Sequence, residues 1–383
     1  MATIDADAHV VESEHTWDYM DHAERKYRPI LVSPHGAPEE RPVRSILDTG
    51  SARSYWLIDG KLRGLARTVL TARQWQELAE ASGRAMAVTP ASQSLENVEV
   101  RVHHMDQLGI DIQVVYPTIF IEQVTDKPEI EVALCTSYNR WMADIWQRGS
   151  GRVRWICVLP LLSMPDALDM LPWCKDHGAV GVFMRPIEGE RLLHDPYFDR
   201  LYDAVSRLNL CLGVHVANAN PRERDLLGQR VAWGGGFWPF LTPVVGACHA
   251  AITSGLMQRH PGLRIGFIEA SSSWLPWVIK DIRRRAEGRT LPEHFLEALR
   301  IFVTCYTSDD IGYITQQAGA GVLMIGTDYG HQDMSVELDA LRTFGERGDL
   351  DPVVAQKILD DNPRALYGLS EPLPHRGASS RHQ

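Results

Sequence analysis

The feature that most constrains this chain is a repeated alternation of two patterns. Short, largely apolar runs recur at residues 4–9, 111–116, 153–159, 179–184, 210–215, 263–269, 301–306 and 322–327. Amphipathic stretches of helical period lie between them, near 95–108, 128–148, 165–177, 196–209, 244–259, 274–288 and 310–318, and two more follow at 335–345 and 352–361. Strands that are apolar on both faces and alternate with amphipathic helices predict a parallel sheet covered by helices. Gly109, Pro117, Pro160, Gly178 and Pro186 stand where elements should stop. Eight such units predict an α/β fold, a closed (β/α)8 TIM barrel, whose reactive groups gather at the C-terminal ends of the strands. The competing architecture is an open doubly wound sheet. That sheet would want a glycine-rich phosphate loop after its first strand, whereas Gly234-Gly235-Gly236 falls in a later excursion.

The 383 residues are 44% hydrophobic, enough for a large core in one domain. The barrel domain is expected over 1–370, followed by a flexible polar tail at 371–383. Residues 13–100 read as an insertion that caps the C-terminal mouth, with a helix near 17–27. Asp59-Gly60 is a turn signal inside a hairpin. Residues 216–243, rich in Gly, Trp and Pro, read as a loop excursion. A net charge of −10 argues against nucleic acid as a partner, and no apolar run reaches the length of a membrane span. Met1-Ala2-Thr3 leads almost at once into a strand, which leaves no signal peptide. The six cysteines form no C-x-x-C pair and read as buried thiols. Together these features predict a cytoplasmic protein.

The first run, Ile4-Asp5-Ala6-Asp7-Ala8-His9, alternates, so Asp7 and His9 share a face. A carboxylate and an imidazole two apart on a strand can reach one ion, since borderline metals take oxygen and nitrogen ligands. Alone, such a pair is more often an ordinary polar strand rim. Later strands end in matching groups: His215 on the fifth, Glu269 on the sixth and Asp328 on the eighth, with His331 just beyond. Glu12 and His15 follow the first strand. A barrel brings these ends to one cavity. His103 and His104 lie on a helix leading to the opposite end and are assigned to surface or packing.

Asp7-Ala8-His9, His215 after an apolar strand, and Gly326-Thr327-Asp328-Tyr329-Gly330-His331 resemble the amidohydrolase superfamily in its family-2 branch. Met105-Asp106-Gln107-Leu108-Gly109-Ile110-Asp111, Arg259-His260-Pro261-Gly262-Leu263 and Asn362-Pro363-Arg364-Ala365-Leu366-Tyr367-Gly368-Leu369 support the resemblance. It covers roughly 1–12 and 96–370 and says little about the insertion. It implies that Asp7, His9, His215 and Asp328 bind metal and that Asp328 acts as a base. Characterised members usually carry a catalytic histidine at the end of the sixth strand, where this chain has Glu269. A carboxylate donates a proton at neutral pH only if its pKa is strongly raised.

So many acids in one cavity would repel one another without cations between them. Two divalent ions are therefore expected, held by Asp7, His9, Glu12, His215, Glu269, Asp328 and His331, with Asp328 and Glu269 as catalytic groups. A carboxylate-rich set suits two irons, with zinc or manganese as the alternative. Glu12-Ser13-Glu14-His15 also reads as E-x-x-H, though Glu12 as a loop acid and His15 as a helix cap fit equally. Of eleven tryptophans, Trp56, Trp146, Trp155, Trp233, Trp238, Trp274 and Trp277 are expected near the mouth. Trp233 and Trp238 would contact a bulky apolar substrate. Arg185 would hold a carboxylate, phosphate or thioester carbonyl, or pair with a cavity acid.

The leading expectation is a non-haem di-iron monooxygenase that hydroxylates a bulky, terpenoid-like substrate, such as a CoA thioester, with molecular oxygen. This resembles the di-iron hydroxylase type of platensimycin and platencin antibiotic biosynthesis. The alternative is a zinc- or manganese-dependent hydrolase or non-oxidative decarboxylase of a small organic acid. A non-catalytic binding protein ranks last, because buried unpaired acids are costly. A homodimer is expected, with apolar surface residues such as Trp173 serving the contact.

Overall fold

A computed structural model of the chain describes residues 2–32, 54–66, 72–83, 85–227, 236–331 and 335–369. Eight parallel strands form one sheet in chain order. They are β1 (Ile4–His9), β2 (Ile112–Tyr116), β3 (Val153–Cys157), β4 (Ala179–Met184), β5 (Cys211–His215), β6 (Ile265–Ile268), β7 (Ile301–Cys305) and β8 (Leu323–Ile325). The main helices are α1 (Val98–Leu108) before β2, then α2 (Pro128–Arg148), α3 (Met164–Asp176), α4 (Asp199–Arg207), α5 (Thr242–Thr253), α6 (Leu275–Arg285) and α7 (Ile311–Ala318), each following the next strand in turn. α8 (Asn362–Tyr367) ends the described chain. The fold is the (β/α)8 barrel that the alternation predicts, and none of its described helices is long and apolar enough to cross a membrane.

Local chemistry sets the element ends. Asn97 caps α1 by accepting the Val100 N–H at 3.1 Å, and Gly109 ends the helix in the left-handed region at φ 76°. The stretch expected as one helix over 244–259 is two, because the chain turns at Gly255 with φ 80° before Leu256–Arg259. The helix expected near 17–27 is instead two 3-10 turns, Glu14–Tyr19 and His22–Tyr27. Met20 and Asp21 are extended between them, and Met20 is buried in the core there.

The barrel closes where β1 meets the extension of β8. Thr327 and Asp328 donate their N–H groups to the Asp7 carbonyl at 3.1 and 2.9 Å, and the His9 N–H donates to the Tyr329 carbonyl at 2.7 Å. The seam is also tied by the buried Asp5 carboxylate. It accepts the Thr327 N–H at 2.9 Å, the Thr327 hydroxyl at 2.6 Å and the Gln113 amide at 2.9 Å. Burial pushes Asp5 up to about 6 against these hydrogen bonds. Gln113 in turn accepts from the buried Arg101 at 2.6 Å, and Arg101 also donates to the carbonyls of Ser92 and His9. The Arg101 guanidinium lies 3.5 Å over the Tyr329 ring.

Among the described residues of 13–100, the turn Glu14–Tyr19 packs against α2. Ile30–Val32, Ser54–Ile58 and Lys61–Ala66 form an antiparallel sheet, turned at Asp59-Gly60 with φ 52° and 72°. Such a pair of left-handed residues defines a tight hairpin turn. Trp56 packs edge-on against Trp17, and Lys61 and Lys127 form ion pairs with Asp126 and Asp59. The helix Ala72–Ser82 buries Trp75 in a small second core with Met86, Val88, Tyr329, Val336 and Leu338. Trp146 and Trp155 are not at the mouth. Trp155 donates to the His177 carbonyl and Trp146 covers Gly178, both ahead of β4, at the opposite end of the barrel.

Gly326 is the tightest point of the seam. A Cβ there would lie 2.3 Å from the Asp7 Cβ and 2.8 Å from the Asp7 backbone N and O. These are largely backbone atoms that cannot swing away. Gly326→Ala is expected to lose about 1–3 kcal/mol as an overpacked variant, read as a lower midpoint in urea unfolding. Unchanged stability would mean the seam is looser than described.

Candidate metal centre

The strand ends deliver their groups to one buried point. His9 Nε2 lies 2.9 Å from His215 Nε2, 3.6 Å from Asp7 Oδ1, 3.5 Å from Asp328 Oδ1 and 3.8 Å from Glu269 Oε2. His215 Nε2 lies 3.6 Å from Asp7 Oδ1 and 3.1 Å from Glu269 Oε2. Bonds of about 2.1 Å to one ion place neighbouring donors roughly 3–3.5 Å apart, close to the 2.9–3.8 Å found here. The donors form two overlapping sets, Asp7 with His9 and His215, and His9 with Glu269, Asp328 and His331.

The hydrogen bonds on the far side of each ring fix what the two imidazoles present. His9 Nδ1 donates to the Pro117 carbonyl and His215 Nδ1 to the Val216 carbonyl, both at 3.1 Å. Each ring therefore turns a lone pair on Nε2 toward the other. Two lone pairs at 2.9 Å repel unless a proton or a cation lies between them. The electrostatics agree. Burial pushes His215 down, but Asp7 and Glu269 outweigh it and raise the ring to about 10. Burial likewise pushes Asp7 up, and the His215 and His9 imidazoles overturn this and hold it at about 2. Asp7 Oδ1 is buried with no hydrogen-bond partner among the described residues. Two nitrogens and three carboxylates around one buried point fit a divalent cation.

Backbone conformation aims the acids. Glu269 and Asp328 adopt left-handed φ values of 63° and 49° at the ends of β6 and β8. Non-glycine residues stay there only when their surroundings hold them. The Glu269 N–H donates to Thr304 Oγ1 at 2.7 Å, and its carbonyl accepts from the Tyr306 hydroxyl at 2.8 Å. Asp309 then fixes the loop that follows by accepting from the hydroxyls of Ser271, Ser272 and Ser273.

The other expected site residues lie elsewhere or do other work. Glu12 is buried, but both its oxygens accept backbone N–H groups, from Thr118 at 3.0 Å and Ile119 at 2.9 Å. It anchors the turn after β2 and does not join the donor cluster. His15 pairs with Asp18 in solvent. His331 stacks on the His9 ring at 3.6 Å and sets Nδ1 2.7 Å from Asp328 Oδ1, with Nε2 bonded to Thr118 Oγ1 at 3.0 Å. Arg185 is occupied. It pairs with Glu188 and donates to the carbonyls of Phe120 and Glu122, so no fork is left for a substrate carboxylate. It lines a cavity of about 290 Å³ to which none of the donor cluster contributes. Trp238 is 56% exposed and packs edge-on against the exposed Phe237. Trp233 lies outside the described residues.

The residue that the sequence reading missed is Ser335. Its hydroxyl lies 2.9 Å from Glu269 Oε1 and 2.7 Å from Asp328 Oδ2. Nothing in its local sequence distinguishes it from a loop serine. His104, assigned to surface or packing, bonds the Tyr329 hydroxyl at 2.7 Å and so braces the segment that carries Asp328.

Solved structures share this fold at low sequence identity. An amidohydrolase from Mycobacterium avium subsp. paratuberculosis superposes with a TM-score of 0.73 at 19% identity, over 96% of this chain and 99% of that one. The 5-carboxyvanillate decarboxylase of Sphingomonas paucimobilis gives 0.63 at 17% identity, over 96% and 99%. The 5-carboxyvanillate decarboxylase of Novosphingobium aromaticivorans, complexed with manganese and a nitrobenzoic acid, gives 0.57 at 20% identity, over 70% and 79%. The family model described as amidohydrolase matches residues 4–369, nearly the whole chain. The chain therefore belongs to the amidohydrolase family, in its family-2 branch.

Proposed function

We propose that this protein is a metal-dependent, non-oxidative decarboxylase of a small organic acid. One observation carries the metal site: two imidazole lone pairs meet at 2.9 Å inside a ring of buried carboxylates. The ligands would be Asp7, His9, His215 and Asp328, with Glu269 Oε2 near enough to join them. Zinc and manganese suit such a mixed nitrogen and oxygen set. The choice of reaction is supported by the decarboxylases among the structural relatives, one of them complexed with manganese. These relatives lend no support to the di-iron monooxygenase expectation, nor to a terpenoid substrate.

When bound, the cation would supply Lewis-acid polarisation of the substrate's oxygens. The chain's own groups would then handle the proton. In a non-oxidative decarboxylation the carbon–carbon bond to the carboxylate breaks, carbon dioxide leaves, and the electron pair left on carbon takes one proton. Asp328 would carry that proton on Oδ2, 2.7 Å from the Ser335 hydroxyl, while Oδ1, 2.7 Å from His331 Nδ1, faces the cation. Glu269 stands where relatives of this branch usually place a histidine. It brings a negative charge to that position and disfavours a bound substrate carboxylate beside it unless the cation lies between. The reading is tested with carboxylated phenols and related small acids in the presence of manganese or zinc. Carbon dioxide release without oxygen consumption is expected. Hydrolysis of a cyclic amide or ester instead would keep the metal and change the reaction. Oxygen consumption by the iron-loaded protein would restore the oxygenase reading.

Two further outcomes follow from the ligand set. His215→Ala should lower manganese affinity by at least about 10-fold, read by isothermal titration. Asp328→Asn should lower kcat by at least about 100-fold, the scale of a lost general acid or base. The metal-free cluster also keeps a proton on His215, whose pKa stands at about 10 against an ordinary 6.5. Metal must displace it, so binding should release protons below pH 10, and apparent affinity should rise as pH is raised from 6.5 toward 10. Titration in two buffers of different ionisation enthalpy reads the release. Affinity that falls over this range would contradict the assignment.

A further inference from the structure

We infer that Ser335 is a positioning residue that sets how Glu269 and Asp328 meet the metal, an inference that rests on the metal-site reading above. Each of these acids has two oxygens. Ser335 engages Glu269 Oε1 at 2.9 Å and Asp328 Oδ2 at 2.7 Å. The remaining oxygens are those that approach the imidazoles: Glu269 Oε2 at 3.1 Å from His215 Nε2, and Asp328 Oδ1 at 3.5 Å from His9 Nε2. One hydroxyl thus divides each carboxylate into an outward oxygen and an inward one. It favours binding through a single oxygen from each acid over binding through both.

The hydroxyl has one proton and two lone pairs, so it donates to one acid at a time and can rotate between them. The two acids, on separate strands, are therefore tied to a common point and cannot turn independently. Ser335 itself is firmly seated. Two residues on, the Glu337 N–H donates to the Thr327 carbonyl at 3.0 Å, and the Leu338 N–H donates to the Ala85 carbonyl at 2.9 Å. Val336, between Ser335 and Glu337, is fully buried against the small core that includes Trp75 and Met86. The described part of the insertion thereby buttresses the segment whose hydroxyl aims two acids.

The test compares Ser335→Ala and Ser335→Thr with the wild type, using Mn2+ titration for affinity and the visible spectrum of bound Co2+ for coordination. Thermal midpoints of the three metal-free proteins are measured alongside. Ser335→Ala should weaken Mn2+ binding about 10- to 100-fold, the range for groups that orient metal ligands. It should also alter the Co2+ spectrum while leaving the metal-free midpoint in place. Ser335→Thr, which keeps the hydroxyl, should recover most of the affinity and the wild-type spectrum. Wild-type affinity and spectrum in Ser335→Ala would overturn the inference while leaving the metal site standing. So would a fall in the metal-free midpoint matching the loss of affinity, because the serine would then be only a packing residue. A wild-type protein that binds neither Mn2+ nor Co2+ through His215 would overturn the metal reading itself.

Discussion

Everything at the mouth of this barrel depends on acceptors forced together out of water. His9 and His215 face each other through nitrogens whose tautomers are fixed by backbone carbonyls, and Asp7, Glu269 and Asp328 close around them. Removing such groups from water is costly, and their mutual repulsion adds to the cost. In the metal-free protein the imbalance draws a proton onto His215. A divalent cation would replace that proton and offset the acids' charge at the same point. The site is better described as a negative cavity awaiting a cation than as a conventional hydrogen-bonded network.

β1 serves the fold and the site together. Asp5 ties the barrel seam to Thr327 and, through Gln113, to Arg101. Two residues later Asp7 offers its carbonyl to the same seam and its side chain to the donor cluster. Gly326 opposite has no room for a side chain because the Asp7 backbone occupies that space. The strain at Asp328 is supported by the same contacts, since its N–H donates to the Asp7 carbonyl. Closure of the barrel therefore also positions its chemistry, and damage to the seam should reach the metal site.

The sequence made the architecture and most of the cluster legible, because both rest on periodic patterns. Alternating elements specified the parallel barrel, and polar residues at the ends of apolar runs pointed to Asp7, His9, His215, Glu269 and Asp328. What stayed hidden was the destination of side chains outside that periodicity. Glu12 looked like one more acid at a strand end, but the chain bends so that it holds the N–H groups of Thr118 and Ile119. Arg185 looked available for a substrate, but its partner Glu188 lies three residues on, in the first strand of a short hairpin the sequence did not announce. Trp146 and Trp155 pack at the far end of the barrel, because tryptophan marks burial without indicating which end. Ser335 could not be found at all from spacing, since its place depends on how the segment after β8 folds back onto the insertion. The preference for two irons came from counting acids. In the structure the donors form two overlapping sets that share His9.

The most direct test of the account is a crystal structure of the manganese-loaded protein, with anomalous scattering to locate the ion. The account predicts one strong anomalous peak at about 2.0–2.3 Å from Asp7, His9 Nε2, His215 Nε2 and Asp328, the range for such ligands. A peak elsewhere, or none between the two imidazoles, would contradict it.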